Sequence, residues 1–159
     1  MAPGREVTIT HAKAAAAGSP VSDFELVVVV GSLHWSRYQS SVVAFVQTNR
    51  EALNAAPTAL VSVSLAAAGV PQPDGLSLDA CVDGLREETL WAPDAVHHCG
   101  GRIRHTGYDY FRGLAVTLLS EKNAIALPPS RDLDLADYAA LRRFVGDFAD
   151  AAAARAAPV

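Results

Sequence analysis

Three short stretches of this chain gather the residue types that a ligand site uses. They read Gly31-Ser32-Leu33-His34-Trp35-Ser36-Arg37-Tyr38, Ser64-Leu65-Ala66-Ala67-Ala68 and Gly100-Gly101-Arg102-Ile103-Arg104-His105. His34, Trp35, Tyr38, His105, Tyr108 and Tyr110 lie in or just after them. Glycine lets backbone come close to a ligand, and an aromatic ring offers a face on which a flat heteroaromatic molecule stacks. Binding of such a molecule is one reading. The other is that the loop aromatics simply cap a sheet, because pockets of this kind are general features of α/β folds.

Other clusters carry less chemistry. His97-His98-Cys99 with His105 would suggest a metal, but successive strand residues point to opposite faces, so His97 and His98 do not readily grip one ion. His97 and Cys99 share a face without a recognisable pair of further ligands, so no metal is expected and packing within the sheet is preferred. Ser32, Ser36, Ser40 and Ser41 lack the Gly-x-Ser-x-Gly pattern of a nucleophile elbow, which speaks against a hydrolase. Glu87-Glu88 read as solvated helix charge, and Asp132 and Asp134 as N-cap residues. Arg102 and Arg104, with Arg112 further on, suit a propionate or a lipid headgroup as well as they suit solvent-facing loop charge.

The elements that position these loops are legible as alternating strands and helices. Glu6 to Thr10 alternates like an edge strand, and the Ala-rich segment from His11 ends at Ser19-Pro20. Phe24 to Val30 is a continuous aromatic and β-branched run, the pattern of a strand covered on both faces. A loop from Ser32 to Gln39 and a helix from Ser40 to Asn54 follow, then a strand from Thr58 to Leu65. Further on, a helix near Leu76 to Leu90 leads to a third strand, Ala95 to Gly100. Tyr108 to Ser120 and Leu135 to Ala154 complete the helices, the last with a stripe of Tyr138, Leu141, Phe144, Val145 and Phe148. Strands and helices in this rhythm give an α/β fold with a parallel sheet, four strands, and helices on both faces.

Length and composition agree with one domain over residues 1–159, with an Ala-rich tail beyond Ala149 expected to fray. Half of the residues are hydrophobic and the formal charge is -4, which argues against a nucleic-acid binder. No apolar run is long enough to cross a bilayer, and two cysteines are too few for a disulfide framework. A cytoplasmic, reducing compartment is the expectation.

One resemblance is specific. Val27-Val28-Val29-Val30-Gly31-Ser32, Tyr38, Phe45-Val46 and Ser62-Val63-Ser64-Leu65 are followed by Trp91-Ala92-Pro93-Asp94, Gly101, Ile103-Arg104 and Tyr108-Asp109-Tyr110-Phe111. In that order and spacing, from Arg5 to about Ala151, the chain resembles the flavodoxin-domain protoporphyrinogen dehydrogenases. The resemblance implies a flavodoxin-like three-layer α/β/α fold and FMN as cofactor. It also implies oxidation of protoporphyrinogen IX in haem biosynthesis, with electrons passed to a quinone. It places Ser32, Leu33, His34, Trp35 and Tyr38 in the loop flanking the flavin and its ribityl chain. Ser64, Leu65 and Ala66 match a second flavin loop, and Gly101, Ile103 and Arg104 a third. Backbone amides there would hydrogen-bond the isoalloxazine edge, and Trp35 would cover one face; no catalytic residue is assigned.

The chain departs from that family at its start. A flavodoxin opens with a strand, a Ser/Thr/Gly-rich loop and a helix whose N-terminal amides grip the FMN phosphate. This chain aligns from the family's second strand onward, so the first strand and phosphate loop are expected to be absent and FMN to be held weakly. In the strand order 2-1-3-4-5 the first strand is the centre of the sheet. Two functions follow: a flavin-dependent protoporphyrinogen oxidoreductase, or a non-catalytic flavodoxin-like remnant that serves as a binding module. An electron-carrier flavodoxin is a weaker third, because such carriers are typically more acidic. The partners implied are a porphyrinogen and a quinone, with no nucleic acid, and a homo-oligomer is compatible with the sequence. Tyr108 to Leu119, with Phe111, Leu114 and Leu118, reads either as an apolar flap touching substrate or the membrane periphery, or as an ordinary crossover helix.

Overall fold

The β-branched runs form the centre of a sheet. The computed structural model describes residues 6–15, 21–70, 72, 74–103 and 133–156. Strand β1 (Val27–His34) runs parallel to β3 (Thr58–Ser64), with Val27 opposite Thr58 and Ser32 opposite Val63. On the far side of β3 lies β4 (Ala95–Gly100), also parallel, with Ser64 opposite Gly100. In β3 every residue except Val63 is buried, as expected of a strand covered on both faces.

One face of the sheet packs on α2 (Ser40–Thr48), α3 (Arg50–Ala55) and α4 (Leu78–Thr89). Their core contains Val29, Leu33, Val46, Leu53, Leu60, Val82, Leu85 and Trp91. Each such side chain contributes roughly 1.5–3 kcal/mol on full burial. Trp91 is fully buried and satisfies its indole N–H on Thr58 Oγ1 at 3.1 Å. The opposite face is covered by α5 (Tyr138–Ala156), whose Phe144 stacks on His97 of β4 at 4.9 Å. Helices on both faces of a mostly parallel sheet are the α/β arrangement that the sequence implies.

Several boundaries differ, each for a physical reason. Glu6–Thr10 is not a strand: it carries no regular structure and leaves Ile9 93% exposed, and among the described residues no strand pairs with it. The fourth strand is instead β2 (Arg37–Tyr38), antiparallel to the end of β1, so the sheet order is β2-β1-β3-β4. The loop expected from Ser32 is therefore a hairpin, and β1 begins three residues later than Phe24 and ends four residues beyond Val30. Gly31 does not end the strand. It gives room to the Tyr38 ring, 3.0 Å from where a Cβ would stand.

The single helix expected from Ser40 to Asn54 is broken at Asn49, whose side-chain amide donates to the Phe45 carbonyl and competes with the helix ladder. The Ala-rich tail, expected to fray, is helical to Ala156, and Ala149 and Ala152 are its buried positions. Tyr138, expected in the core stripe, is 54% exposed. A short helix, α1 (Ala12–Ala15), precedes β1. A two-stranded ribbon of β5 (Arg102–Ile103) and β6 (Leu133–Asp134) is antiparallel. The helix expected at Tyr108 to Ser120 lies outside the described residues.

Candidate functional site

The parallel register brings the three sequence-predicted loops to one end of the sheet. Ser32 stands opposite Val63, and Ser64 opposite Gly100, so the carboxyl ends of β1, β3 and β4 lie side by side. In open α/β sheets this end is where ligands bind.

The first loop is a tight turn. Trp35 and Ser36 join His34 to its partner Arg37, and both adopt the left-handed region, with φ of 51° and 58°. That two-residue geometry normally takes Asn-Gly, and an ordinary side chain held there costs about 1–2 kcal/mol. The tip is tied down from across the chain: Ser36 Oγ lies 2.7 Å from Asp74 Oδ1 and 2.8 Å from Gln72 Oε1. The Ser36 hydroxyl, with the Leu76 amide, holds the Asp74 carboxyl below its usual range. A turn fastened in this way presents the Trp35 indole outward, 63% exposed, beside His34. The His34 Nε2 is 3.0 Å from Ser32 Oγ, which places two hydrogen-bonding groups next to the indole.

Not every predicted residue of this loop faces solvent. Leu33 and Tyr38 turn into the core, at 7% and 8% exposure. Tyr38 donates its hydroxyl proton to Ser62 Oγ at 2.8 Å, and burial pushes the phenol above its ordinary pKa. This side chain fastens β2 onto β3, so its ring is a packing element below the loop.

The second loop curls back at once. Ser64 Oγ accepts the Ala67 amide at 3.0 Å, capping a single turn over Ala66–Ala68, with Leu65 half-buried beside it. Gly69 then takes a φ of +93° to redirect the chain. In the third loop, Gly101 is buried; its amide is engaged by the Ser64 carbonyl and its own carbonyl accepts the Leu135 amide. Ile103 lies in β5, and Arg104 lies outside the described residues.

The clamp of Ser36 with Gln72 and Asp74 escaped the sequence reading. Its only sequence signal is a polar Pro-Gln-Pro-Asp-Gly stretch following the second loop, which shows a turn but not its target. His97 and His98 do point to opposite faces: His97 meets Phe144, while His98 Nε2 approaches Asp79 on α4 at 3.3 Å. Among the described residues no three His, Cys, Asp or Glu side chains are grouped to hold a metal. Cys99 is buried, and that burial raises its thiol pKa, with Asp134 and Asp137 adding to the effect. Among the described residues no helix is long and apolar enough to cross a membrane.

A flavin ring needs an apolar face and polar groups at its edge, and Trp35 with Ser32 and His34 are residues of the kind that could supply them. Phosphate is a different matter: among the described residues the loop after β1 closes as a hairpin, where an anion would need a glycine-rich loop running into a helix.

Residues 3–124 match the model of a flavodoxin domain. The chain is 22% identical over 129 residues to a protoporphyrinogen IX dehydrogenase [quinone] of Leishmania major, a stretch that covers 81% of this chain. It spans 55% of that relative's length. No solved structure matches the chain. With the match covering most of its length and the loops of its parallel sheet arranged as described, the chain belongs to the flavodoxin-domain family.

Proposed function

We propose that this chain is the flavin-holding domain of an oxidoreductase that oxidises protoporphyrinogen IX and passes the electrons to a quinone. The observation that carries the reading is the Trp35 turn: a strained, fastened hairpin that exposes an indole at the carboxyl end of a flavodoxin-domain sheet. Strain of this kind persists where the surroundings over-determine it, and here it aims a stacking surface. The relative's printed activity supplies the substrate class. Bound FMN would supply the two-electron chemistry. The chain's own part is to stack Trp35 on the ring, to hold the ring edge through Ser32 and His34, and to keep water from one side with the Ser64–Ala66 turn.

The test is a titration of the purified protein with FMN, read by the flavin absorption band and by quenching of tryptophan fluorescence, followed by assay with protoporphyrinogen IX and a menaquinone analogue. Loss of one stacking ring costs about 1–3 kcal/mol, so Trp35→Ala should weaken flavin binding about tenfold or more. Equal binding by the parent and Trp35→Ala would refute the assignment of the indole. The hairpin in place of an anion cradle favours a second reading, a flavodoxin-like binding module without redox activity. A protein that stays colourless in excess FMN decides for it.

A further inference from the structure

The turn that carries Trp35 is built from residues that do not suit its shape. Both central positions have positive φ, 51° at Trp35 and 58° at Ser36, yet neither is the asparagine or glycine that takes this geometry at little cost. An indole at position 35 excludes both of those residues there. Nearby, the chain meets the same demand with glycine: Gly69 and Gly75 have φ of 93° and 71°, and a Cβ on either would meet nothing within 4 Å. The left-handed pair at the turn therefore needs a hold from outside it.

That hold comes from the stretch between those two glycines, whose described residues are fastened without help from the turn. Val70 is buried, and its amide donates to the Leu65 carbonyl at 3.2 Å. The Gly75 amide donates to the Gln72 carbonyl, the Leu76 amide to Asp74 Oδ1, and Gln72 Nε2 to the Leu76 carbonyl at 2.7 Å. Ser77 then caps α4 through the Ala80 amide, so the stretch ends on a fixed helix. With Nε2 committed to Leu76, Gln72 offers only its Oε1 to Ser36. Two acceptors, Gln72 Oε1 at 2.8 Å and Asp74 Oδ1 at 2.7 Å, thus face a hydroxyl that has one proton to give. The carboxylate takes it, because a hydrogen bond to an ionised acceptor is roughly twice as strong as a neutral one.

We propose that Asp74 is the positioning residue of the Trp35 stacking surface: acting through Ser36 Oγ, it holds the turn left-handed and so aims the indole. Gln72 supports it by shaping the stretch that presents the carboxylate. The direction of the hold follows from the count of bonds: Asp74 and Gln72 have other partners, and the Ser36 hydroxyl is what ties the tip to them. That the guest on the indole is a flavin rests on the function proposed above; the hold on the turn does not, so either can fail alone.

The test is a double-mutant cycle on the full chain. It is read without ligand by the backbone carbon-13 shifts of residues 35 and 36, which report φ, and with ligand by titration of FMN. The indole resonance of Trp91, a fully buried ring bonded to Thr58, is the control for folding. Asp74→Ala should move both sets of shifts out of the left-handed range and weaken FMN binding about tenfold, the order of the strain held in one left-handed side chain. The conservative Asp74→Asn should keep the parent shifts and bind FMN within about twofold, since its amide donates to Ser36 Oγ and leaves the hydroxyl proton for Gln72. In a Ser36→Gly background, where glycine takes positive φ unaided, Asp74→Ala should change nothing further. Three results would overturn the proposal. One is unmoved shifts in Asp74→Ala. Another is Asp74→Asn behaving like Asp74→Ala, which assigns the effect to charge alone. The third is an undiminished effect of Asp74→Ala in the Ser36→Gly background. A parent that binds no FMN sinks the flavin reading, and the shifts without ligand still decide this one.

Discussion

Gly100 and Gly84 show how one kind of substitution acquires opposite signs. A Cβ on Gly100 would overlap the Leu135 carbonyl oxygen, where the segment leading into α5 crosses the end of β4. On Gly84, within α4, a Cβ would meet nothing within 4 Å. Overpacking a tight site costs typically 1–3 kcal/mol, whereas replacing a glycine in a helix interior by alanine gains roughly 0.5–1 kcal/mol. Gly100→Ala should thus lower the urea-unfolding free energy by about 2 kcal/mol, and Gly84→Ala should raise it. A neutral Gly100→Ala would mean that the backbone crossing at Leu135 is looser than described. The sequence shows both glycines and gives no means of telling them apart, because the difference lies in a contact between residues far apart in the chain.

The element that begins at Asp134 is held by carboxylates, and its stability should follow pH. Tyr138 donates its hydroxyl to Asp134 Oδ2 at 2.7 Å, and the Ala136 amide reaches the other oxygen. Asp137 Oδ1 accepts the Ala140 amide at 2.9 Å, which caps the first turn of α5. The Tyr138 hydroxyl and the Ala140 amide respectively are the main causes that hold these two carboxyls below the ordinary 3.8. A group with a depressed folded pKa contributes stability that is present above the unfolded value and is lost as pH falls through the folded one. The urea midpoint of the parent should therefore drop below pH 3.8, and that of an Asp134→Asn, Asp137→Asn double variant should drop less steeply. Parallel slopes would show that the carboxylates are not what fastens this helix start.

At the same scale, legibility varied with how local the deciding force is. β3 and α4 matched their sequence patterns closely because an apolar run rich in β-branched residues and a 3.6-residue stripe carry their own signal. The Trp35–Ser36 turn did not, since it lacks the Gly, Asn or Asp that marks a hairpin and is imposed by Gln72 and Asp74. Trp35 was legible as a site residue for its chemistry. The inward direction of Tyr38 was not, because it depends on Ser62 and on the absence of a Cβ at Gly31.

Across the whole molecule the two faces of the sheet are covered to different extents, and the boundary falls between two register partners. Val30 on β1 and Val61 on β3 lie opposite each other and therefore point to the same face. Val61 is 2% exposed and Val30 is 59% exposed. On this face α5 lies against β4, so cover runs from β4 across β3 and stops short of β1. The uncovered valine lies in the run from Phe24 to Val30 that the sequence assigns to the interior. A continuous apolar run shows that a strand suits burial on both faces, and it does not show how much of that burial the rest of the chain supplies. The asymmetry has a measurable signature. A hydroxyl introduced at a buried position without a partner costs about 1–3 kcal/mol, while exposed positions change by less than about 0.5 kcal/mol. Val30→Thr should consequently leave the unfolding free energy nearly unchanged, and Val61→Thr should lower it by about 2 kcal/mol. If both cost the same, Val30 is covered in solution as Val61 is. If only Val61→Thr is costly, the folded domain leaves the Val30 side of β1 open to water while the Val61 side of β3 is sealed, and the cover supplied by α5 ends between those two register partners.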